Sequence, residues 1–153
     1  MSNLAIIETK ISSIQKYLER LGRYKKFSQE EIISDPDRQA ALERYLYLAV
    51  QATIDLGEAV IAFKGFRRPG TYTEVFYILD EAGFIPKQLS EKLVNMAKFR
   101  NIVAHDYEAI DFGIMYGALK NRLTDIEEFI AVTKQNLNLS DNLPKHGADA
   151  NER

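Results

Sequence analysis

The sequence predicts an all-α protein, an up-and-down four-helix bundle with one additional short helix. Three observations lead to this fold class. Four long stretches carry apolar residues at alternating spacings of three and four, the pattern of amphipathic helices packed at shallow angles. Capping residues and prolines stand where helices should begin, and glycines stand where they should end. The length of 153 residues suits one domain with a hydrophobic core and is too short for two.

Each of the four long helices is predicted from its own apolar stripe, which faces the core of the bundle. The stripes are Leu4, Ile7, Ile11, Ile14, Leu18 and Leu21 in the first; Leu42, Leu46, Ala49, Thr53, Leu56, Val60 and Phe63 in the second; Leu89, Leu93, Met96 and Val103 in the third; and Tyr116, Leu119, Leu123, Ile126, Ile130 and Leu137 in the fourth.

The limits of the second helix are predicted from local signals. Asp35 followed by Pro36 is typical of an N-cap with proline at the first helical position. Gly65 is placed to end this helix, before a basic loop that runs to residue 70. We therefore expect a long second helix from residue 36 to residue 64.

The remaining helices have comparable signals. Thr71 and Glu74 have the spacing of a capping box, which predicts a short helix ending near Gly83. Pro86 is expected to start the third long helix, and Asp111 to cap the fourth.

The composition narrows the class of protein. The chain has no cysteine and a net charge of −2, which excludes disulfides, thiolate metal ligands and a cysteine nucleophile, and argues against a general nucleic-acid coating protein. We expect no metal site, because the chain offers too few side chains of the types that bind metal ions. We also expect no cofactor. The N-terminus lacks a signal-peptide layout, and no apolar run approaches the roughly 20 residues of a membrane span. We therefore expect a cytoplasmic protein, with a helical domain over 1–137 and a polar, disordered tail over 138–153.

One position breaks the third stripe. After Leu93 and Met96 the next inward position is Arg100, and Val103 resumes the apolar pattern. A cation on a core-facing stripe is costly unless it has an anionic partner or lines a wet cleft. Spacing alone leaves both interpretations open: a structural ion pair with a neighbouring helix, or a functional site.

The residues that follow Arg100 favour a site. Asn101 and His105 are four residues apart and share one helix face, next to Arg100. Tyr107 follows two residues later. Within eight residues the chain offers a phosphate clamp, a hydrogen-bonding amide, a proton-transfer group and a surface on which a base can stack.

This stretch resembles the signature of the HEPN ribonucleases. The Arg-x4-His core, with Asn after Arg100, matches that signature, and the longer form His105-x-Tyr107 resembles the HepT-like toxins of MntA/HepT toxin–antitoxin pairs. The flanking segments 37–46, 73–86 and 98–111 also resemble the family, and the likeness extends from the first helix to about residue 137. The resemblance implies an RNA-cleaving toxin, a dimer with a shared cleft, and a cognate nucleotidyltransferase antitoxin that adenylylates Tyr107.

The chemistry expected of such a site is metal-independent RNA cleavage, in which the 2′-hydroxyl attacks the adjacent phosphorus. His105 is the candidate proton-transfer group, because imidazole titrates near neutral pH. Arg100 would bind the scissile phosphate, and Asn101 would orient His105 or the phosphate. In-line cleavage uses an acid and a base on opposite sides, so we expect a homodimer that brings two His105 side chains together.

Two further questions stay open at this stage. The loop cations Lys64, Arg67 and Arg68, together with Lys98, could follow an RNA backbone, but such residues are as often simply solvated. The main alternative to an enzyme is a non-catalytic helical module that binds a nucleotidyltransferase partner or a nucleotide. In that case Arg100 would be a structural ion-pair residue.

Overall fold

The computed structural model describes the backbone of residues 3–105 and 112–140, and the side chains of residues 3–100 and 112–140. Within these ranges all regular structure is helical, which confirms the predicted fold class. The helices of the described chain are α1 (Asn3–Gly22), α2 (Gln29–Ile33), α3 (Pro36–Lys64), α4 (Tyr72–Glu81), α5 (Lys87–His105), α6 (Phe112–Asn121) and α7 (Leu123–Asn136).

Helix α3 runs through the centre of the fold, and local signals fix both of its ends. The Asp35 side chain accepts hydrogen bonds from the backbone amides of Asp37 and Arg38, at 3.1 and 3.2 Å. Pro36 is the first helical residue. Gly65 closes the helix in the left-handed conformation, with φ of 71°, which a glycine adopts without a steric penalty. Both predicted limits of this helix are confirmed.

By length and composition alone, α3 could cross a membrane, because an 18-residue window reaches a mean hydropathy of 1.4. In the fold, 56% of that window is buried, and α3 packs against α1, α4 and α5. These are the properties of a central core helix. Polar residues interrupt the apolar positions of α3, so the sequence contains no uninterrupted apolar run that would mark this helix as a span.

The core lies between α3 and the helices around it. The first predicted stripe packs α1 onto α3, and four of its members are fully buried, namely Ile7, Ile11, Ile14 and Leu21. On the other side, α4 approaches α3 at Gly57, where an added Cβ would lie 2.5 Å from Cγ1 of Val75. Phe76 of α4 packs edge-on against Phe129 of α7, with ring centroids 5.7 Å apart. The hydroxyl of Ser90 on α5 donates to the Phe76 carbonyl, at 2.9 Å.

The fourth predicted helix is divided into α6 and α7. Arg122 stands between them with no side-chain cap, at φ −109° and ψ −11°. Leu119 and Leu123 are both buried, so the apolar stripe continues across the break. The spacing of apolar residues therefore could not reveal where one helix ends and the next begins.

Two other predictions differ in detail from the structure, and two concern residues outside the described ranges. Phe63 was expected in the core but is 39% exposed. Pro86 lies one residue before α5, which begins at Lys87. The predicted cap Asp111 and the segment 141–153, which makes up most of the predicted tail, lie outside the described residues.

Helix α2 was not predicted, although its signal is present in the sequence. Ser28 and Glu31 form a capping box, in which each side chain bonds the other's backbone amide at 3.1 and 3.0 Å. These hydrogen bonds from Ser28 lower the pKa of Glu31 from its ordinary value. The short helix buries Ile32 and joins the end of α1 to the start of α3.

Candidate functional site around Arg100

The side chain of Arg100 is partly buried and is held by residues of α3 and α4. Its Nε donates a hydrogen bond to Oε1 of Gln51, at 2.9 Å. Its guanidinium carbon lies 4.6 Å from the ring centroid of Tyr72 and 5.8 Å from that of Tyr47. Cation–π contacts of this kind suit a partly desolvated arginine. The third apolar stripe is therefore interrupted by a cation with defined polar and aromatic neighbours.

Gln51 is itself fixed by a second hydrogen bond. Its Nε2 donates to Oδ1 of Asp55, at 2.9 Å, one turn further along α3. Arg100, Gln51 and Asp55 thus form a chain of hydrogen bonds from α5 to α3, which we call the Arg100 network. Because the amide of Gln51 bonds at both ends, it holds the plane of the guanidinium in one orientation.

An open groove of about 1010 Å³ lies beside this network, between the end of α3 and the start of α4. Tyr72 links the network to the groove, because its ring contacts Arg100 and it also lines the groove. Arg68 and Glu58 line the same groove. Burial and the nearby Asp55 carboxylate raise the pKa of Glu58 from its ordinary value, so the groove wall holds a carboxyl group that resists ionisation.

The other cations predicted to contact RNA lie in different settings. Lys64 and Arg68 are exposed near the end of α3, and Lys98 is exposed on α5. Arg67 forms ion pairs with Glu74 and Glu81 of α4. The Arg67 side chain and the backbone amide of Gly70 hold the pKa of Glu74 below its ordinary value. Arg67 is thus paired with two carboxylates of α4, whereas Arg68 lines the groove.

The remaining predicted site residues cannot be placed in the same detail. Asn101 and His105 belong to the last turns of α5, and their side chains lie outside the described residues, as does that of Val103. Tyr107 lies outside them altogether. The backbone does confirm that Arg100, Asn101 and His105 share one continuous helix, as their spacing predicts.

The residues that hold Arg100 were not predicted from the sequence. Tyr47, Gln51 and Asp55 follow one another at spacings of four on α3, so they share one partly exposed face. That polar stripe could have been recognised, but its partner on another helix could not. Among the described residues, no group of three histidine or acidic side chains is placed to hold a metal ion.

Comparisons of the sequence with known proteins agree with one another on the family. Residues 14–133 match the model of a family described as "Ribonuclease HepT-like". A protein of Aphanizomenon flos-aquae named "tRNA nuclease HepT" is 28% identical over 113 residues, which cover 72% of this chain and 77% of that protein. A protein of Shewanella oneidensis named "mRNA nuclease HepT" is 27% identical over 133 residues, covering 84% and 96% respectively.

Solved structures give the same fold. A toxin–antitoxin complex with AMP-PNP contains a chain with a TM-score of 0.79 and 27% identity, covering 86% of this chain and 98% of that one. A second complex, described as a tri-AMPylated Shewanella oneidensis HEPN toxin with MNT antitoxin, gives a TM-score of 0.79 and 26% identity, covering 88% and 99%.

Proposed function

This chain belongs to the HepT-like ribonuclease family, and we propose that it is the toxin of a toxin–antitoxin pair, an endoribonuclease that cleaves RNA without a metal ion. The observation that carries the proposal is the placement of Arg100 within the matched region. It stands on the helix that also carries Asn101 and His105, and residues of α3 and α4 orient it. Relatives named as tRNA and mRNA nucleases support the same reaction class. We place the protein in the cytoplasm, where its RNA substrates are.

The proposed reaction uses the RNA's own 2′-hydroxyl as nucleophile. A base removes its proton, the oxygen attacks the adjacent phosphorus, and the bond to the 5′-oxygen breaks as an acid supplies a proton to that oxygen. His105 is the proton-transfer residue, and the Arg100 guanidinium binds the phosphate as its charge develops. Asn101 orients the histidine or the phosphate. The products are a 2′,3′-cyclic phosphate and a 5′-hydroxyl.

We propose that the active form is a homodimer. In-line displacement needs one proton-transfer group on each side of the phosphorus, and each chain supplies only one histidine from the motif. A two-fold axis next to the end of α5 would bring two His105 residues into one cleft. The acid and the base would then come from different subunits.

Tyr107 is proposed as the site at which the antitoxin acts. A related toxin has been solved in AMPylated form with its MNT antitoxin, which supports a nucleotidyltransferase partner for this chain. An AMP group on Tyr107 would add bulk and negative charge beside the residues that bind the phosphate. Such a group would exclude RNA by steric overlap and by repulsion.

The deciding experiment is cleavage of tRNA and total RNA in EDTA by the purified dimer, with His105→Ala beside it. Intact-mass analysis first establishes that Tyr107 carries no AMP in either preparation. We expect the parent alone to cleave and to leave cyclic-phosphate ends. Cleavage that requires added metal, or that survives in His105→Ala, would contradict the mechanism.

The alternative is a non-catalytic helical module that binds a nucleotidyltransferase or a nucleotide. It predicts no cleavage by the folded, unmodified parent, together with retained binding of the partner. Co-expression with a nucleotidyltransferase of the MNT type tests the regulatory part separately, because AMP should then be added to the parent and not to Tyr107→Phe.

A further inference from the structure

Five side chains form a basic–aromatic surface around a shallow groove of about 420 Å³. Arg20 of α1 lies over the ring of Tyr45, with its guanidinium carbon 5.4 Å from the centroid. Lys26 and Arg38 both lie over the ring of Phe27, at 5.1 and 4.0 Å. We propose that this surface binds RNA at a distance from the bond that is cleaved. The inference rests on the proposed function, because it concerns the substrate of the same enzyme.

The charge around this surface is opposite in sign to that of the whole protein. Four lysine or arginine side chains and two carboxylates line the groove, giving a local net charge of +2 in a chain of net charge −2. Of the two carboxylates that line the groove, Asp35 also caps α3 and lies 3.7 Å from Arg38. The surface therefore has the electrostatic footprint of a phosphate-binding region.

The fold holds this surface in place before any ligand arrives. Two hydrogen bonds from α6 hold the loop after α1. The Tyr116 hydroxyl donates to the Phe27 carbonyl at 2.7 Å, and the Lys120 ammonium group donates to the Lys25 carbonyl. Nη1 of Arg38 donates to the backbone carbonyl of Glu31, at 2.9 Å. Side chains and backbone that are already ordered lose less entropy on binding, which favours recognition by a fixed surface.

The surface is connected to the Arg100 network across α3. Tyr45 and Tyr47 are two residues apart, so they point to nearly opposite sides of a helix roughly 10–12 Å wide. Tyr45 contacts Arg20, whereas Tyr47 contacts Arg100. Arg44 lies on the side of α3 between these two tyrosines. It is exposed, and its guanidinium carbon is 5.5 Å from the centroid of the Tyr47 ring. Arginines thus follow one another across α3, along a path that one RNA strand could take.

The chemistry of the surface suits RNA better than a protein partner. Guanidinium planes backed by aromatic rings can stack on bases while their charges contact phosphates. The centre of a protein interface is instead apolar and depleted in charge. None of the large hydrophobic side chains that are exposed in the described part of the chain belongs to this surface.

The test measures RNA binding separately from cleavage. In the His105→Ala background, binding of fluorescently labelled bulk tRNA is followed by anisotropy over a range of salt concentrations, with and without Arg20→Gln plus Lys26→Gln. We expect the double variant to bind RNA more weakly. The plot of log affinity against log salt should become shallower by roughly 1.4–1.8, because each of the two lost phosphate contacts lowers the slope by about 0.7–0.9. With His105 intact, the same double variant should raise KM and leave kcat unchanged.

The matched control is Lys87→Gln plus Lys134→Gln, which removes the same charge at the start of α5 and the end of α7. It should leave the salt dependence close to that of the parent. If Arg20→Gln plus Lys26→Gln does not fold, Arg23→Gln plus Lys26→Gln replaces it. Arg23 also lines the groove, its side chain is 71% exposed, and Lys26 is exposed.

Two outcomes would overturn the inference. One is a folded double variant that binds tRNA with unchanged affinity and salt dependence. The other is unchanged tRNA binding with lost binding of a nucleotidyltransferase partner, which would make this face a protein interface. Because the binding assay uses a variant that does not cleave, failure of the proposed nuclease activity would appear separately, as absence of cleavage by the parent.

Discussion

At the scale of single residues, the neighbours of Arg100 account for a charged side chain on a core-facing stripe. The sequence left two interpretations open, a structural ion pair or a functional cleft. In the structure, Nε is bonded to an amide, and the guanidinium lies against two aromatic rings. Gln51 fixes the direction of the guanidinium without supplying a charge of its own. This arrangement suits a group that must meet a phosphate in one orientation.

The first prediction concerns Gln51. Gln51→Ala removes the hydrogen bond that orients Arg100, and a bond to a charged group contributes about 1.5–3 kcal/mol. We expect kcat/KM for RNA cleavage to fall by roughly tenfold, since about 1.4 kcal/mol corresponds to that factor. Steady-state cleavage of labelled tRNA measures it. Gln88→Ala, at an exposed position near the start of α5, is the matched control and should keep parental activity.

A double-mutant cycle separates this positioning role from a general loss of structure. If Gln51 acts through Arg100, adding Gln51→Ala to Arg100→Ala should not lower the residual activity further. Equal losses from Gln51→Ala in both backgrounds would show that Gln51 acts independently of the arginine.

The second prediction concerns Glu58 and pH. Its pKa in the folded protein lies above the ordinary 4.5, first because of burial and then because of Asp55. The folded state therefore holds this proton more tightly than the unfolded state, and this carboxyl group's contribution to stability falls as pH rises from about 4.5 through the folded value. Glu58→Gln removes the effect. We expect its melting temperature to exceed that of the parent at neutral pH, with the gain vanishing below pH 4.

The control for Glu58 is its like-charged neighbour. In an Asp55→Asn background, Glu58→Gln should give a smaller gain at neutral pH, because one cause of the raised pKa is already gone. Thermal melts followed by circular dichroism at several pH values measure both differences. A gain that is independent of pH would argue against the titration of Glu58 as its source.

At the scale of helices, α3 and α4 pack closely against each other at Gly57. A Cβ at this position would lie 2.5 Å from Cγ1 of Val75, a stiff β-branched side chain on α4. Gly57→Ala should therefore push α3 and α4 apart and cost about 1–3 kcal/mol of unfolding free energy. Gly22→Ala is the control, since nothing lies within 4 Å of its added Cβ. Urea denaturation should show a loss for the first and no loss for the second.

The helices also show which parts of the fold could be predicted. Asp35, Pro36 and Gly65 act on their own backbone, so the limits of α3 could be read from adjacent residues. The break at Arg122 has no such signal, because apolar residues on both sides keep their spacing. Helix limits are therefore predictable where a local capping signal exists, and the Ser28–Glu31 capping box of α2 is a signal of this kind.

The candidate site was likewise predictable only where its signal is local in the sequence. Arg100 was identified because it violates the periodicity of its own helix, which is a local property. Gln51, its hydrogen-bond partner, lies 49 residues earlier in the sequence, and only the packing of α5 on α3 brings them together. The basic–aromatic surface has a local signal as well, because five cations fall within residues 16–27. Only the fold, however, brings Arg38 and Tyr45 of α3 next to them.

At the scale of the whole molecule, charge is distributed unevenly. A net charge of −2 argued against extensive nucleic-acid binding, yet the segment 16–27 and the arginines across α3 form a positive region. A local field of this kind would steer the proposed RNA substrate towards this face. Association with RNA should therefore be fast at low ionic strength and should slow as salt is added.

The last prediction concerns the assembly, and it separates a shared cleft from two independent sites. If the acid and the base are His105 residues of different subunits, one wild-type subunit paired with a His105→Ala subunit has only half of the required pair. We expect such heterodimers, purified with two different affinity tags, to have almost no cleavage activity. Independent sites would instead leave half of the parental activity. Heterodimers with Lys87→Gln subunits are the control and should be fully active. Light scattering on the same samples checks that each is a dimer, and a cleaving monomer would remove the basis for a shared site.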